Sequence, residues 1–337
     1  MGYIDLKKPS WKIKVNGKGT AVNDIVNKFW HSRGIDNPEA FLNPSGNILP
    51  SIELSNMYTV ASTFCMMLNS GCKFLVYADV DADGCSSAAI LYHYIRAHGC
   101  ECSVYINEKK KHGVKEKFFE EPHEEDVIIV VDSINEDLTL YNRIQAEGKQ
   151  LIILDHHIPT QEVLDNAASI NLISSAINYG NPHLSGSGVT WKFVNYVDSL
   201  LRTNYADDLI DLAAVGIIAD VCSVGLESME NRELCDKGFK HVTNPGIQAI
   251  IGNQEMTAEL IAFSIAPLVN AANRMNENKL ALDLFLTESV AEAKTIVKEL
   301  TKIKDKQKKL AEELFRNFTE MVEIGRASCR ERVCLSV

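Results

Sequence analysis

The hydrophobic pattern along the chain switches period in a regular order. Lys73 to Tyr77, Cys102 to Ile106, Val127 to Val131 and Leu151 to Leu154 are short, nearly unbroken apolar runs, the pattern of strands buried on both faces. Around them Met57 to Leu68, Cys85 to His98 and Leu138 to Ala146 repeat apolar residues at helical spacing. Strands alternating with helices predict an α/β fold, a parallel sheet with helices on both sides. Residues 1–50 are mixed and turn-rich, with a helix predicted near Ala21 to Trp30 and turns at Asn43-Pro44 and Gly46-Asn47, and read as a lead-in packed on the core. Further on, a helix is predicted from Val189 to Leu201, behind Ser185-Gly186-Ser187-Gly188, and an apolar one from Ala206 to Ala219. From Asn231 the pattern stays helical, ending in a Lys/Glu-dense helix at about Val290 to Val322 that reads as exposed or inter-domain. The expected organisation is a lead-in over 1–50, an α/β domain over 51–225, and a helical region with a long connecting helix over 226–324. Gly325 to Val337 turns abruptly Arg/Cys/Ser-rich and is expected to be a non-native tail.

The polar residues at the strand ends carry the chemistry. Asp79, Asp81 and Asp83 follow the first strand at every second position and are closed by Gly84. In an open α/β sheet this carboxyl edge is where ligands bind, and acids gathered there raise one another's pKa unless a cation neutralises them. An EF-hand loop also begins Asp-x-Asp-x-Asp-Gly, but its twelfth position, a glutamate in that motif, is Ile90 here. Asp132 ends the third strand and Asp155-His156-His157 the fourth. One strand-end aspartate is an ordinary helix cap; three such sites on one edge point to metal. Asp220 closes an apolar helix, where a carboxylate opposes the helix dipole without a cation nearby. Two segments are open to two readings. Lys109, Lys110, Lys111 and His112 form a solvated loop or, on the same edge as the acids, a set of phosphate contacts. Ser187 and Gly188 cap a helix or offer its N–H groups to an anion.

Composition narrows the class. With 337 residues and 46% hydrophobic content the chain can bury a large core. No apolar window reaches membrane-spanning length and the N-terminus lacks a signal-peptide core, so the expected compartment is the cytoplasm, with no membrane partner. The nine cysteines contain no CxxC pair; Cys65, Cys72, Cys85 and Cys222 read as buried reduced thiols. A net charge of −11 argues against a broad basic grip on nucleic acid. Carboxylates with imidazole suit Mn²⁺ or Mg²⁺, and two such ions roughly 3.5–4 Å apart suit hydrolysis at phosphorus. No Ser-His-Asp elbow, Walker A loop or Rossmann fingerprint competes.

Taken in order, Asp79 to Gly84, Asp132, Asp155-His156-His157 and Gly216 to Asp220 resemble the successive motifs of the DHH phosphoesterase superfamily. Arg33-Gly34-Ile35 with Glu39 to Pro44, Ser185 to Lys192, and Pro267 to Met275 followed by Leu280 to Thr287 resemble its RecJ branch of single-strand-specific exonucleases. The resemblance implies 5′-to-3′ hydrolysis of single-stranded DNA with Mn²⁺ or Mg²⁺, in recombination or repair, with other repair or replication proteins as further partners. It implies that Asp81 and Asp83 each hold one ion, that Asp132 bridges both, and that His156 and Asp220 complete the second ion's shell. His157 would face the scissile phosphate, and Asp155 would orient the histidines. Arg274 would contact the nucleic-acid backbone, an interhelical salt bridge being the equal alternative, and Lys109 to His112 would lie near the DNA path. Three departures stand out. Tyr77 occupies a position where many relatives have His, so the first ion is expected to be weaker or to draw on Asp79. Asn273 replaces a usual Gly. The Gly-Gly-His motif of a second domain is absent, which implies a C-terminally truncated core. Two other functions stay in view: a DHH phosphodiesterase or phosphatase for short oligonucleotides or small nucleotides, and an inactive replication scaffold, which predicts lost ligands.

Overall fold

The computed structural model describes residues 22–107 and 113–334. By contacts it divides into two units, Met1–Asn43 and Pro44–Val337. The first contains α1 (Val22–His31) and α2 (Pro38–Leu42). Asn37 caps α2 by accepting the Ala40 N–H, and Pro38 occupies the first turn, where its missing N–H costs nothing.

The second unit is built on a five-stranded, all-parallel sheet in the order β2-β1-β3-β4-β5. Its strands are β1 (Phe74–Ala78), β2 (Cys102–Ile106), β3 (Val127–Val131), β4 (Gln150–Asp155) and β5 (Leu172–Ser174). Alternate residues of the central strands enter different cores. Phe74, Val76, Ile129, Val131, Ile152 and Leu154 join one, with α3 (Met57–Asn69) and α4 (Ala82–Ala97). Leu75, Tyr77, Ile128, Val130, Leu151 and Ile153 join the other, under α5 (Thr139–Ala146) and α6 (Gln161–Asp165). The first core continues into α7 (Gly186–Leu201) and α8 (Ile210–Ala219). This is the α/β arrangement that the apolar runs predict. β5 is the addition; its three residues are too few to stand out as a run.

The chain continues helical through α9 (Met229–Lys240), α10 (Pro245–Ile251) and α11 (Ala258–Leu260). A π turn over Ile261–Ile265 then leads into α12 (Ala266–Arg274), followed by α13 (Asn278–Leu286) and α14 (Val290–Cys334). Ala293, Ile296 and Leu300 of α14 are buried in the first core, so the helix expected to be exposed is anchored at its start. It also runs past Val322 to Cys334, into the segment read as a tail. A buried polar network holds the early part of this unit in place. Glu230 of α9 accepts hydrogen bonds from Lys192 Nζ at 2.6 Å, Tyr179 OH at 2.7 Å and Leu49 N at 3.1 Å. Among the described residues no helix is long and apolar enough to cross a membrane.

Candidate metal centre

The carboxyl edge of the sheet gathers the acids because three strands stop there together. β1 hands over to α4 through a tight turn in which Asp79 accepts its neighbour's N–H, Val80 N, at 2.7 Å and Asp81 caps α4 by accepting Gly84 N at 3.1 Å. β3 ends at Asp132, whose φ of 51° is left-handed, a conformation that aspartate tolerates better than most residues. β4 ends in Asp155, which accepts His156 N, His157 N and His157 Nδ1 on one oxygen and Ile134 N on the other, all at 2.6–2.7 Å. One Asp155 oxygen therefore holds the two histidines, and the other holds the turn after β3. Asp220 arrives from the C-terminal end of α8.

The donor atoms of Asp79, Asp81 and Asp132 lie within 4.8 Å of one another, as do those of Asp132, His156 and His157, and those of His156, Asp220 and Cys222. Asp132 and His156 are each shared between two sets. His156 Nε2 is 3.1 Å from Asp132 Oδ1 and 3.8 Å from Asp220 Oδ2. Asp132 is 2% exposed, yet its Oδ1 has no hydrogen-bond partner despite the nearby imidazole. A buried acceptor left this way is costly, and a cation among these donors removes the cost.

Electrostatics argue the same way. Burial, followed by the charges of Asp83, Asp81, Asp155 and Asp79, pushes the Asp132 carboxyl well above the usual carboxylate range. Burial also raises Asp83, with His156 and Ser187 opposing it. Burial would raise Asp155 too, but the hydrogen bond and charge of His157, with the charge of His156, outweigh it and hold Asp155 low. The same hydrogen bond lifts His157 to about 8. Carboxyls pushed up by burial and by one another's charge are the arrangement that a divalent cation relieves. Carboxylate oxygens with imidazole nitrogen form a donor set for hard or borderline divalent ions.

The expected site residues fall differently in three places. Asp83, read as a ligand, turns toward α7: Oδ2 accepts Gly186 N at 2.7 Å and Oδ1 accepts Ser187 N at 3.0 Å. It borders the centre, 3.9 Å from His156 Nε2, but Asp79 takes its place in the donor sets. Ser187 and Gly188, read as an anion cradle, are buried, and Gly188 N is taken by Ser185 Oγ at 3.2 Å. The anion received by this helix start is the chain's own Asp83, so no substrate contact remains there. Two glycines permit the packing: a Cβ at Gly186 would lie 2.8 Å from Asp132 Oδ1, and one at Gly216 only 2.0 Å from both Asp83 Oδ1 and Ser187 Oγ. Tyr77 lies in the second core, donating to Asn107 Oδ1 at 2.6 Å.

Arg274, at the end of α12, is exposed. Its neighbour Asn273 donates to Val80 O, docking α12 onto the first acidic turn. Lys109, Lys110 and His112 lie outside the described residues. Of the cysteines read as buried, Cys65 and Cys85 are, whereas Cys72 and Cys222 are partly exposed. Cys222 is the donor that the sequence reading missed, and its position two residues after Asp220 was the available signal.

The DHH family N-terminal domain matches residues 73–217, the span that carries β1 to α8 and the first three acidic motifs. These residues form a DHH-family domain. Relatives of the DHH-bearing chain include the RecJ single-stranded-DNA-specific exonuclease of Bacillus subtilis, 27% identical over 93% of this chain and 41% of that protein. RecJ of Thermus thermophilus is 28% identical over 86% of this chain and 43% of its own length. Its crystal structure in complex with Mn²⁺ superposes with a TM-score of 0.73, covering 86% of this chain and 43% of that one. The chain therefore spans less than half the length of these curated relatives.

Proposed function

We propose that the chain hydrolyses single-stranded DNA from its 5′ end, with two Mn²⁺ or Mg²⁺ ions at the carboxyl edge. The observation that carries this reading is Asp132, a buried carboxylate with an unbonded oxygen, shared by an all-oxygen donor set and a histidine-containing one. The chemistry of the donors and the Mn²⁺-bound RecJ relative support the choice of cation; the RecJ relatives support the choice of substrate.

In this reading Asp79 and Asp81 would hold one ion and His156 and Asp220 the other, with Asp132 as the ligand common to both. The bound pair supplies Lewis acidity and activates water at neutral pH. His157, lifted to about 8 in the metal-free chain by its hydrogen bond to Asp155, faces the place where negative charge develops on a non-bridging phosphate oxygen. Asp155 fixes its ring through Nδ1 at 2.7 Å, and Asp83 holds α7 against the centre. Arg274 on α12, with Lys109, Lys110 and His112, contacts the strand's phosphates. Residues 51–225 do the chemistry, and 226–324 carry the strand past it. The free thiols among the described residues fit a reducing cytoplasm.

The shorter-substrate reading is favoured by the charge of −11; the inactive-scaffold reading is weakened because, apart from the histidine that Tyr77 replaces, every ligand it expects to be lost is present. The test is hydrolysis with Mn²⁺ of a long single strand labelled at either end, beside a dinucleotide and a cyclic dinucleotide. Stepwise loss from the 5′ end, reduced ~100-fold or more in Asp132→Asn and His156→Ala, is the expected result. Cleavage of only the short substrates moves the chain to the small-nucleotide function, and rates unchanged in both variants remove the site assignment.

A further inference from the structure

We infer that Cys222 makes the His156 half of the centre a mixed nitrogen, oxygen and sulfur site that prefers a borderline or soft divalent cation, Zn²⁺, Co²⁺ or Cd²⁺, over Mn²⁺ or Mg²⁺. This rests on the metal-centre reading above and adds a chemical asymmetry to it. Cys222 Sγ lies 3.5 Å from Asp220 Oδ2 and belongs to a set with His156 and Asp220 whose donor atoms lie within 4.8 Å of one another. Asp132 supplies the independent sign of a ligand at this place: it is 2% exposed, its Oδ1 has no hydrogen bond, and that oxygen is 3.1 Å from His156 Nε2.

The backbone explains how the thiol gets there. α8 ends with Cys222 N donating to Ile217 O at 3.0 Å and Val221 N donating to Ile218 O at 3.2 Å, the paired bonds of a Schellman motif. Val221 occupies the left-handed position of that motif, with φ 58°, where glycine is usual and a β-branched residue is strained. This reversal folds Cys222 back beside Asp220.

Thiolate and imidazole favour Zn²⁺, Co²⁺ or Cd²⁺, whereas Asp79, Asp81 and Asp132 on the other side offer only oxygen and suit Mn²⁺ or Mg²⁺. On binding, the thiol proton passes to solvent and sulfur takes a coordination bond in its place.

The test is a Co²⁺ titration of the metal-free chain, reading the visible ligand-field bands and the near-ultraviolet thiolate-to-cobalt charge-transfer band in wild type, Cys222→Ser, Cys222→Ala and Asp132→Asn. Cd²⁺ and Mn²⁺ affinities are measured alongside. The expected result is a charge-transfer band in wild type that both Cys222 variants lose while keeping their ligand-field bands. Their Cd²⁺ affinity should fall about tenfold or more, with little change for Mn²⁺. A charge-transfer band that survives in the Cys222 variants assigns the sulfur to another cysteine and overturns the inference. Ligand-field bands without charge transfer in wild type, lost in Asp132→Asn, overturn it and leave the centre standing. Co²⁺ binding that is the same in wild type and Asp132→Asn overturns the centre itself, and this inference with it.

Discussion

The two histidines of the DHH motif are equivalent in sequence and different in environment. His157 is held by Asp155 at 2.7 Å and lifted to about 8, while His156 turns Nε2 toward Asp132. In the metal-free chain, Asp155→Asn should return the His157 pKa toward about 6.5, the ordinary histidine value, as read by NMR titration of the ring protons. Because the folded value is raised, the pair's contribution to stability is complete below about 6.5 and is lost as pH rises through about 8. Urea midpoints measured at the two ends of that window should therefore differ more in wild type than in Asp155→Asn. Asp132, Asp155, His156, His157 and Asp220 were legible as a cluster because each ends an apolar element on one edge. The role of Asp83 was not. Even spacing makes Asp79, Asp81 and Asp83 look equivalent, but α4 begins at Ala82, so Asp83 also receives the N–H groups at the start of α7 while bordering the centre.

At the scale of elements, the centre depends on how closely α4, α7 and α8 converge, and Gly216 sets the limit. Gly216→Ala places a methyl group 2.0 Å from Asp83 Oδ1 and Ser187 Oγ, and overpacking of this kind costs about 1–3 kcal/mol. Urea denaturation should show that loss, with Mn²⁺ binding weakened in the variant. The Lys192–Glu230 pair is the second joint. Both side chains are almost wholly buried and 2.6 Å apart, so Lys192→Met, which strands the carboxylate, should destabilise by about 3–5 kcal/mol. Adding Glu230→Gln should recover part of that loss. The long strands and helices were legible because apolar period and length agree there. β5 was not, since its pairing to β4 is decided by tertiary contact, nor was the true partner of Ser187, because a capped helix start looks the same whether its anion comes from outside or from within.

At the scale of the whole molecule, an acidic chain of net charge −11 needs its cations to meet a polyanion. The exposed Arg274 is placed on α12, whose Asn273 is tied to the first acidic turn through Val80 O. Arg274→Ala should weaken single-strand binding about tenfold, the loss of one charge-assisted contact, and leave Mn²⁺ affinity intact, as fluorescence anisotropy and metal titration would report separately. The central claim is that two cations share Asp132. Mn²⁺ binding followed by electron paramagnetic resonance tests it most directly. Two ions per chain with an exchange-coupled spectrum, replaced in Asp132→Asn by a single uncoupled ion or none, is the predicted result. A single uncoupled Mn²⁺ in wild type, or a coupled pair that survives in Asp132→Asn, would contradict it.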